Sequence, residues 1–272
     1  MTDVASIPGW AEVRLDAIKA PGQYSFVGGP FGSDLTSRDY VSAPGVPVIR
    51  GTNLGGSESR FIDDGFVYVT ERKAGSLHRN IAFPGDLVFT QRGTLGQVAI
   101  VPDDCRFPRY VISQSQMKLT VDPSKADRRF VYYAFRFPQS QARLLSRTQA
   151  TGVPHINLGI LKDFVISLPR LSEQRRIADI LDKADAVRSK WKQAAAYSLD
   201  LPLAIFRDRF GDPISNNRNW ARLPLARCVR VVGGGTPSKA NPLFWNGTFP
   251  WVSPKDMKQP CNRSHPGEQR GG

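Results

Sequence analysis

The sequence predicts an α+β chain: a mixed globular domain over residues 1–169, a long coiled-coil-forming helix over 170–211 and the incomplete start of a second domain over 212–258, followed by a disordered tail over 259–272. Three observations predict it. Residues 10–168 alternate short β-type runs with Gly, Pro and Asn turns, residues 173–201 carry a heptad row, and the opening of the first domain recurs 210 residues later.

In the first domain Val46 to Ile49, Phe66 to Val69, Asp86 to Thr90, Gln97 to Val101 and Met117 to Val121 read as strands bounded by turn residues. From Arg128 to Arg147 the row Phe130, Tyr133, Ala134, Phe137, Leu144, Leu145 predicts helix, broken or kinked at Pro138. That stretch carries Arg128, Arg129, Arg136, Arg143 and Arg147 and no acid. Such a face either tracks phosphates or is merely solvated, and the residues leave both readings open.

Ser172 is the expected N-cap of the long helix, with Glu173 in its first turn. Ile180, Ala184, Val187, Trp191, Ala194, Ser198 and Leu201 then recur at alternating spacings of four and three, the seam of a coiled coil. From Glu173 to Leu201 the helix is about 43 Å long at 1.5 Å per residue, which outreaches a domain whose radius of gyration is about 15 Å. Pro202 is expected to bend or break it, Leu203 to Phe210 to continue, and Gly211-Asp212-Pro213 to end it. The segment Trp10-Ala11-Glu12-Val13-Arg14-Leu15 is answered by Trp220-Ala221-Arg222-Leu223-Pro224-Leu225, which reads as an internal duplication.

Charge narrows the class of partner. The 272 residues hold 37 Lys and Arg against 24 Asp and Glu, a net +13, distributed as +4 over 1–169, +3 over 170–211 and +6 over 212–272. An anionic partner is implied. No basic amphipathic segment has a broad apolar face and no stretch approaches ~18 consecutive apolar residues, so nucleic acid is the expected partner and membrane is not. The first thirty residues show no signal-peptide core, and Cys105, Cys228 and Cys261 form no disulfide framework, so a cytoplasmic protein is expected. Cys261 with His265 makes only half a zinc site.

A search for catalytic chemistry yields little. There is no Walker-type loop and no Gly-x-Ser-x-Gly elbow, and His78, His155 and His265 make no triad. Gly233-Gly234-Gly235-Thr236 reads as a phosphate nest or, more simply, as a turn. Asp63, Asp64, Glu71 and Lys73 have the residue types of a Mg²⁺-dependent nuclease, and also of ordinary charges beside strands. The chain reads as non-catalytic. What remains are polar loops: Arg50-Gly51-Thr52-Asn53, Gln91-Arg92-Gly93-Thr94 and Gln114-Ser115-Gln116. Arg pairs bidentately with guanine, Asn and Gln with adenine, and Ser or Thr reaches either base; the same residues also build ordinary turns.

The chain resembles the specificity subunit of type I restriction-modification systems. The stretches that carry the resemblance are Gly29-Pro30-Phe31-Gly32-Ser33, GVPVIRGTNL (45–54), FPGDLVFTQRGTLGQVAIV (83–101), VISQSQMKL (111–119) and ATGVPHINLGILKDFVISLPRLSEQRRIADILDKAD (150–185). It continues through Phe210-Gly211-Asp212-Pro213 and restarts at VVGGGTPSKANPLFWNGTFPWVSPKDM (231–257). The resemblance implies a protein with two target-recognition domains, each followed by a helix, the two helices pairing antiparallel to set the spacing of a split DNA site. It also implies docking to a methylation subunit, which carries the S-adenosylmethionine chemistry, and to a restriction or motor subunit that uses ATP and Mg and cuts. The specificity subunit itself catalyses nothing.

By that resemblance residues 1–169 are the first target-recognition domain and 212–258 the start of a second. Two outcomes are then open: two copies pair antiparallel through Ile180, Ala184, Val187, Trp191, Ala194 and Leu201, or the chain is a non-functional truncated remnant. Arg50, Asn53, Gln91, Arg92, Thr94 and Gln114 are the expected base or backbone contacts on double-stranded DNA, and Arg143 and Arg147 the expected phosphate contacts.

Overall fold

The apolar runs of the first 170 residues form ten strands in a computed structural model that describes residues 9–42, 45–56, 59–148, 154–238, 240–245, 247–248 and 252. They are β1 (Ala11–Arg14), β2 (Phe26–Gly28), β3 (Val46–Ile49), β4 (Val67–Val69), β5 (Ile81–Ala82), β6 (Leu87–Thr90), β7 (Val98–Ile100), β8 (Tyr110–Ile112), β9 (Gln116–Leu119) and β10 (Val165–Leu168). The five expected strands are present, each within two residues of its expected bounds. Six α-helices accompany them: α1 (Glu71–Ser76), α2 (Arg128–Arg136), α3 (Pro138–Leu145), α4 (Leu158–Lys162), α5 (Leu171–Phe210) and α6 (Leu225–Cys228).

The strands make two four-stranded sheets and a two-stranded ribbon. One sheet is antiparallel in the order β2-β9-β6-β7. The other has the order β4-β3-β8-β5, with β3 and β8 parallel through Val48 opposite Val111 and the outer pairs antiparallel. β1 and β10 pair antiparallel, Ala11 opposite Leu168, which brings the two ends of the domain together. Strands β3, β6, β7, β8 and β9 are buried at every position, as expected of strands covered on both faces. The largest core packs Leu87, Phe89, Met117 and Leu119 of the first sheet against Phe130, Val131 and Phe135 of α2. Phe135 lies 4.9 Å, ring to ring, from both Phe89 and Phe164.

Pro138 acts as expected, but by starting a helix: α2 stops at Phe137 and Pro138 is the first residue of α3, where its missing N–H costs nothing. Ser172 is not the N-cap of the long helix. The carbonyl of Arg170 accepts from the N–H groups of Glu173 and Gln174, so α5 starts one residue before Ser172. Leu203 to Phe210 continue the helix past Pro202 as expected, and α5 runs to Phe210, 40 residues in all. Gly211, with φ +78°, ends the helix and donates its N–H to Arg207 O at 2.8 Å.

The chain divides into two compact units, residues 1–202 and 203–272. In the second, Trp220 donates its indole N–H to Phe210 O at 2.8 Å and packs 6.4 Å from the Phe210 ring. The duplicated segments differ. Ala11–Arg14 is a strand because β10 pairs with it, whereas Ala221 to Pro224 has no strand partner among the described residues and stays irregular. Cys261, His265 and the expected tail over 259–272 lie outside the described residues.

An ion-pair cluster holds α5 to its domain. Arg129 of α2 reaches Asp179 at 2.7 Å and Asp182 at 2.9 Å, and Asp127 at 3.0 Å. Arg60 lies over the Tyr132 and Tyr133 rings and reaches Asp182 at 2.5 Å and Asp185 at 3.7 Å. Tyr133 Oη lies 3.0 Å from carboxylate oxygens of both Asp182 and Asp185, which share its single proton. Burial penalises the charged Asp182, yet hydrogen bonds from Arg60, Arg129 and Tyr133 outweigh it and hold its pKa below the usual carboxylate value. The buried Gln174 completes the junction, accepting from Asp127 N at 2.9 Å and donating to Pro169 O at 2.9 Å.

Candidate nucleic-acid interface

The three polar loops singled out in the sequence meet at one turn. Residues 113–115 join β8 to β9, and Ser113 N donates to Ile49 O, the last residue of β3, at 3.0 Å. Ser115 O accepts from Gln91 N at 2.7 Å and Arg92 N at 3.3 Å, so the β6–β7 loop rests on the same turn. Gln91 O in turn accepts from Ile156 N at 3.0 Å. Helix α3 joins through Gln141, whose Nε2 donates to Gly96 O at 2.7 Å. A fourth loop, residues 28–35, packs against the turn at Gly29, where a Cβ would stand 2.2 Å from Ser113 O and 2.9 Å from Gln114 Cα, so only glycine fits.

The expected contact residues separate by what their side chains are doing. Arg92 and Thr94 are exposed, and Arg147, just past the end of α3, is exposed with its guanidinium 5.9 Å over the Phe164 ring. Gln91 is half-buried on the loop that carries Arg92. Gln114 is half-buried and donates to Gly32 O at 2.5 Å and to Leu35 O. Arg50 is half-buried and donates to Gly65 O at 3.3 Å. Asn53 is 1% exposed, and its amide is fully engaged. Its Oδ1 accepts from Arg50 N at 3.0 Å, and its Nδ2 donates to Ile62 O at 3.1 Å and Asp64 O at 2.9 Å. That geometry makes Asn53 the brace of its loop and leaves it no edge to offer a base. Arg143 is likewise engaged, 5.3 Å over the Phe164 ring with Nη2 3.5 Å from Val165 O.

The acid-free stretch 128–147 is not a free basic face. Arg128 pairs with Asp103, Arg129 with the aspartates of α5, and Arg136 donates to Tyr132 Oη at 2.8 Å and stands 3.9 Å from Asp185. The signal for this was the spacing Asp179, Asp182, Asp185, three acids on one face of α5 facing an arginine row.

The residue types of a nuclease do not converge. Asp63 accepts from Tyr110 Oη at 2.8 Å and Arg106 N at 2.6 Å, and Asp64 lies 3.6 Å from Arg106. Glu71 pairs with Arg109, and Lys73 pairs with Asp39 at 2.9 Å. No cluster of three or more His, Cys, Asp or Glu fit to hold a metal occurs among the described residues. Gly233 to Gly235 lie in exposed irregular backbone. Among the described residues no helix is long and apolar enough to cross a membrane.

Comparison with known proteins gives a consistent result. The family model described as the type I restriction modification DNA specificity domain matches residues 17–195. The MjaIX specificity subunit of Methanocaldococcus jannaschii is 21% identical over 271 aligned positions, covering 94% of this chain and 60% of that subunit. The EcoR124I/EcoR124II specificity subunit of Escherichia coli is 35% identical over 88 positions, 32% of this chain and 21% of that one. Among solved structures, a chain from work on complex assembly and conformational transition of the type I R-M system superposes with a TM-score of 0.52 at 20% identity, over 77% of this chain and 47% of that chain, a likeness of fold. The chain thus spans 60% or less of the length of these relatives.

Proposed function

Because the chain belongs to the family of type I restriction-modification DNA specificity subunits, we propose that it reads a DNA sequence on behalf of a methylation subunit and a restriction subunit and carries out no chemistry of its own. The observation that supports this most directly is the meeting of the Arg50, Gln91–Thr94 and Gln114 loops on the 113–115 turn. Base edges are read by several side chains held in fixed relation, and a turn that bonds to the end of β3 just before Arg50 and to the backbone of Gln91 and Arg92 supplies that relation. Arg92, Thr94 and Gln91 are the base-reading or backbone-contacting set, with Arg50, Asn53 and Gln114, whose amide nitrogen is spent on Gly32 O and Leu35 O, shaping the loops, and Arg147 is the phosphate contact with Arg143 behind it. Residues 1–169 form the target-recognition domain and 212–258 begin a second such region. The cytoplasm, where host DNA is found, is the compartment of action.

Selection from a random duplex library by the chain in complex with its methylation subunit tests this reading. An enriched sequence is expected, and recovery of unselected DNA by a folded complex would count against it.

The exposed seam of α5 favours a helix partner. Ile180, Ala184, Val187, Ala194 and Leu201 are exposed, and Trp191 is 73% exposed. Apolar side chains at heptad spacing along a helix of this length are the surface of a coiled coil. A second copy running antiparallel covers it in this reading. Sedimentation equilibrium of the chain alone at micromolar concentration is expected to show a dimer that Trp191→Asp dissociates; a monomer for the unaltered chain would refute the pairing.

A further inference from the structure

Residues 28–35 carry a feature that the polar reading set leaves unexplained. Phe31 is 88% exposed, yet the loop that bears it is fixed on both sides. Pro30 before it and Leu35 after it are buried. Gly28 O accepts from Asn80 Nδ2 at 2.7 Å, and Gly29 abuts the 113–115 turn. Gly32, at φ +43°, takes a left-handed conformation that reverses the chain just after Phe31, and its carbonyl is held by Gln114. Asp34 N closes the turn on Phe31 O at 2.8 Å. The ring is therefore presented by a rigid tip, and its exposure does not come from slack in the chain.

Its surroundings identify the occupant. The loop is tied to Gln114, and the turn of Gln114 carries Gln91 and Arg92, so the ring shares one end of the domain with the base-reading set. On the loops 28–35, 91–97 and 113–116, Phe31 is the exposed large apolar side chain among the described residues; its exposed neighbours Gly32, Ser33 and Asp34 are small or polar. Protein-binding hot spots sit within an apolar-centred patch. A single flat ring on a fixed tip beside hydrogen-bonding loops instead matches the side chains that enter base steps or stack on bases, because every base offers a π-face.

We propose that Phe31 is a DNA-contacting residue that stacks on, or wedges into, a base step at the edge of the recognised half-site, so that stacking and local deformability add to the sequence preference set by the polar loops. This rests on the DNA-reading function proposed above. In that arrangement the positions beside the ring favour flexible pyrimidine–purine steps, which open at least cost.

The test uses the complex of the chain with its methylation subunit and a duplex bearing the selected sequence, with 2-aminopurine placed at successive positions. The unaltered complex is expected to raise the fluorescence at one step. Phe31→Ala removes that signal and weakens binding about tenfold, with the melting temperature unchanged because the ring is exposed, and Phe31→Trp restores both. Unchanged affinity and fluorescence in Phe31→Ala would overturn the proposal. So would loss of the methylation subunit from Phe31→Ala, which would assign the ring to a protein contact. Failure of the unaltered complex to prefer any sequence would instead remove the DNA-reading function, and this proposal with it.

Discussion

Replacing Asp182 with Ala should loosen the joint between the recognition domain and α5. Asp182 accepts from Arg60 at 2.5 Å, Arg129 at 2.9 Å and Tyr133 at 3.0 Å, with about a quarter of its side chain exposed. Hydrogen bonds to a charged group each contribute about 1.5–3 kcal/mol, but the three are not additive because each donor keeps another acceptor. Arg60 retains Asp185, Arg129 retains Asp127 and Asp179, and Tyr133 retains Asp185. A net loss of about 2 kcal/mol follows, which at about 2–4 °C per kcal/mol for a chain of this size lowers the melting temperature by about 4–8 °C. Asp179→Ala is the control. That residue is largely exposed and pairs with Arg129, which keeps its other partners, so its removal should cost less than about 1 kcal/mol. Thermal unfolding followed by circular dichroism separates the two. Equal melting temperatures for Asp182→Ala and Asp179→Ala would refute the claim that the cluster is a cooperative joint.

Other consequences are equally direct. Lys118 and Asp86 form a buried pair at 3.3 Å, with Asp86 also accepting from Phe83 N and Thr120 Oγ1. Asp86→Ala strands the buried ammonium and should cost about 3–5 kcal/mol in urea unfolding, while Asp86→Ala with Lys118→Met should recover most of it. Acid should weaken the α5 joint in a defined window: the carboxyl of Asp182 is held below the ordinary 3.8, so its contribution is complete above that pH and lost as pH falls through its lowered value. Melting curves of the unaltered chain and Asp182→Asn should therefore converge as pH falls below 3.8 and through the lowered pKa of Asp182. Asn53→Ala should destabilise by about 2–3 kcal/mol because the carbonyls of Ile62 and Asp64 lose their donor. Arg92→Ala should leave the melt unchanged and relax base preference at one position, read by the same library selection.

The mixed fold and the long helix were legible because their signals are local. Val46 to Ile49 and Asp86 to Thr90 are apolar runs between turns, and the α5 seam is a period that needs no partner to be seen. β5 is two residues long and β2 three, too short for a pattern, and they exist because β8 and β9 supply their hydrogen bonds. The reading loops were found by residue type, but type does not show which side chain is spent within the fold. Asn53 and Arg92 looked alike as readers; only the 53–64 loop closure distinguishes the brace from the exposed side chain. The arginine row of 128–147 left a phosphate track and a solvated face both open because the partners of Arg129 lie about fifty residues away on α5. Phe31 sat in a noted motif with no role, since neither its exposure nor the rigidity of its loop is a property of local sequence.

One measurement bears most directly on the claim that this chain chooses DNA sequence for a methylation subunit. The chain is co-expressed with a matching methylation subunit, the soluble complex is confirmed, and methylated adenines are mapped across the host DNA by single-molecule sequencing. The expected result is a single new methylated sequence, in two parts if α5 pairs with another helix, and one that changes with Arg92→Ala. Methylation absent, or present without sequence preference, would contradict it.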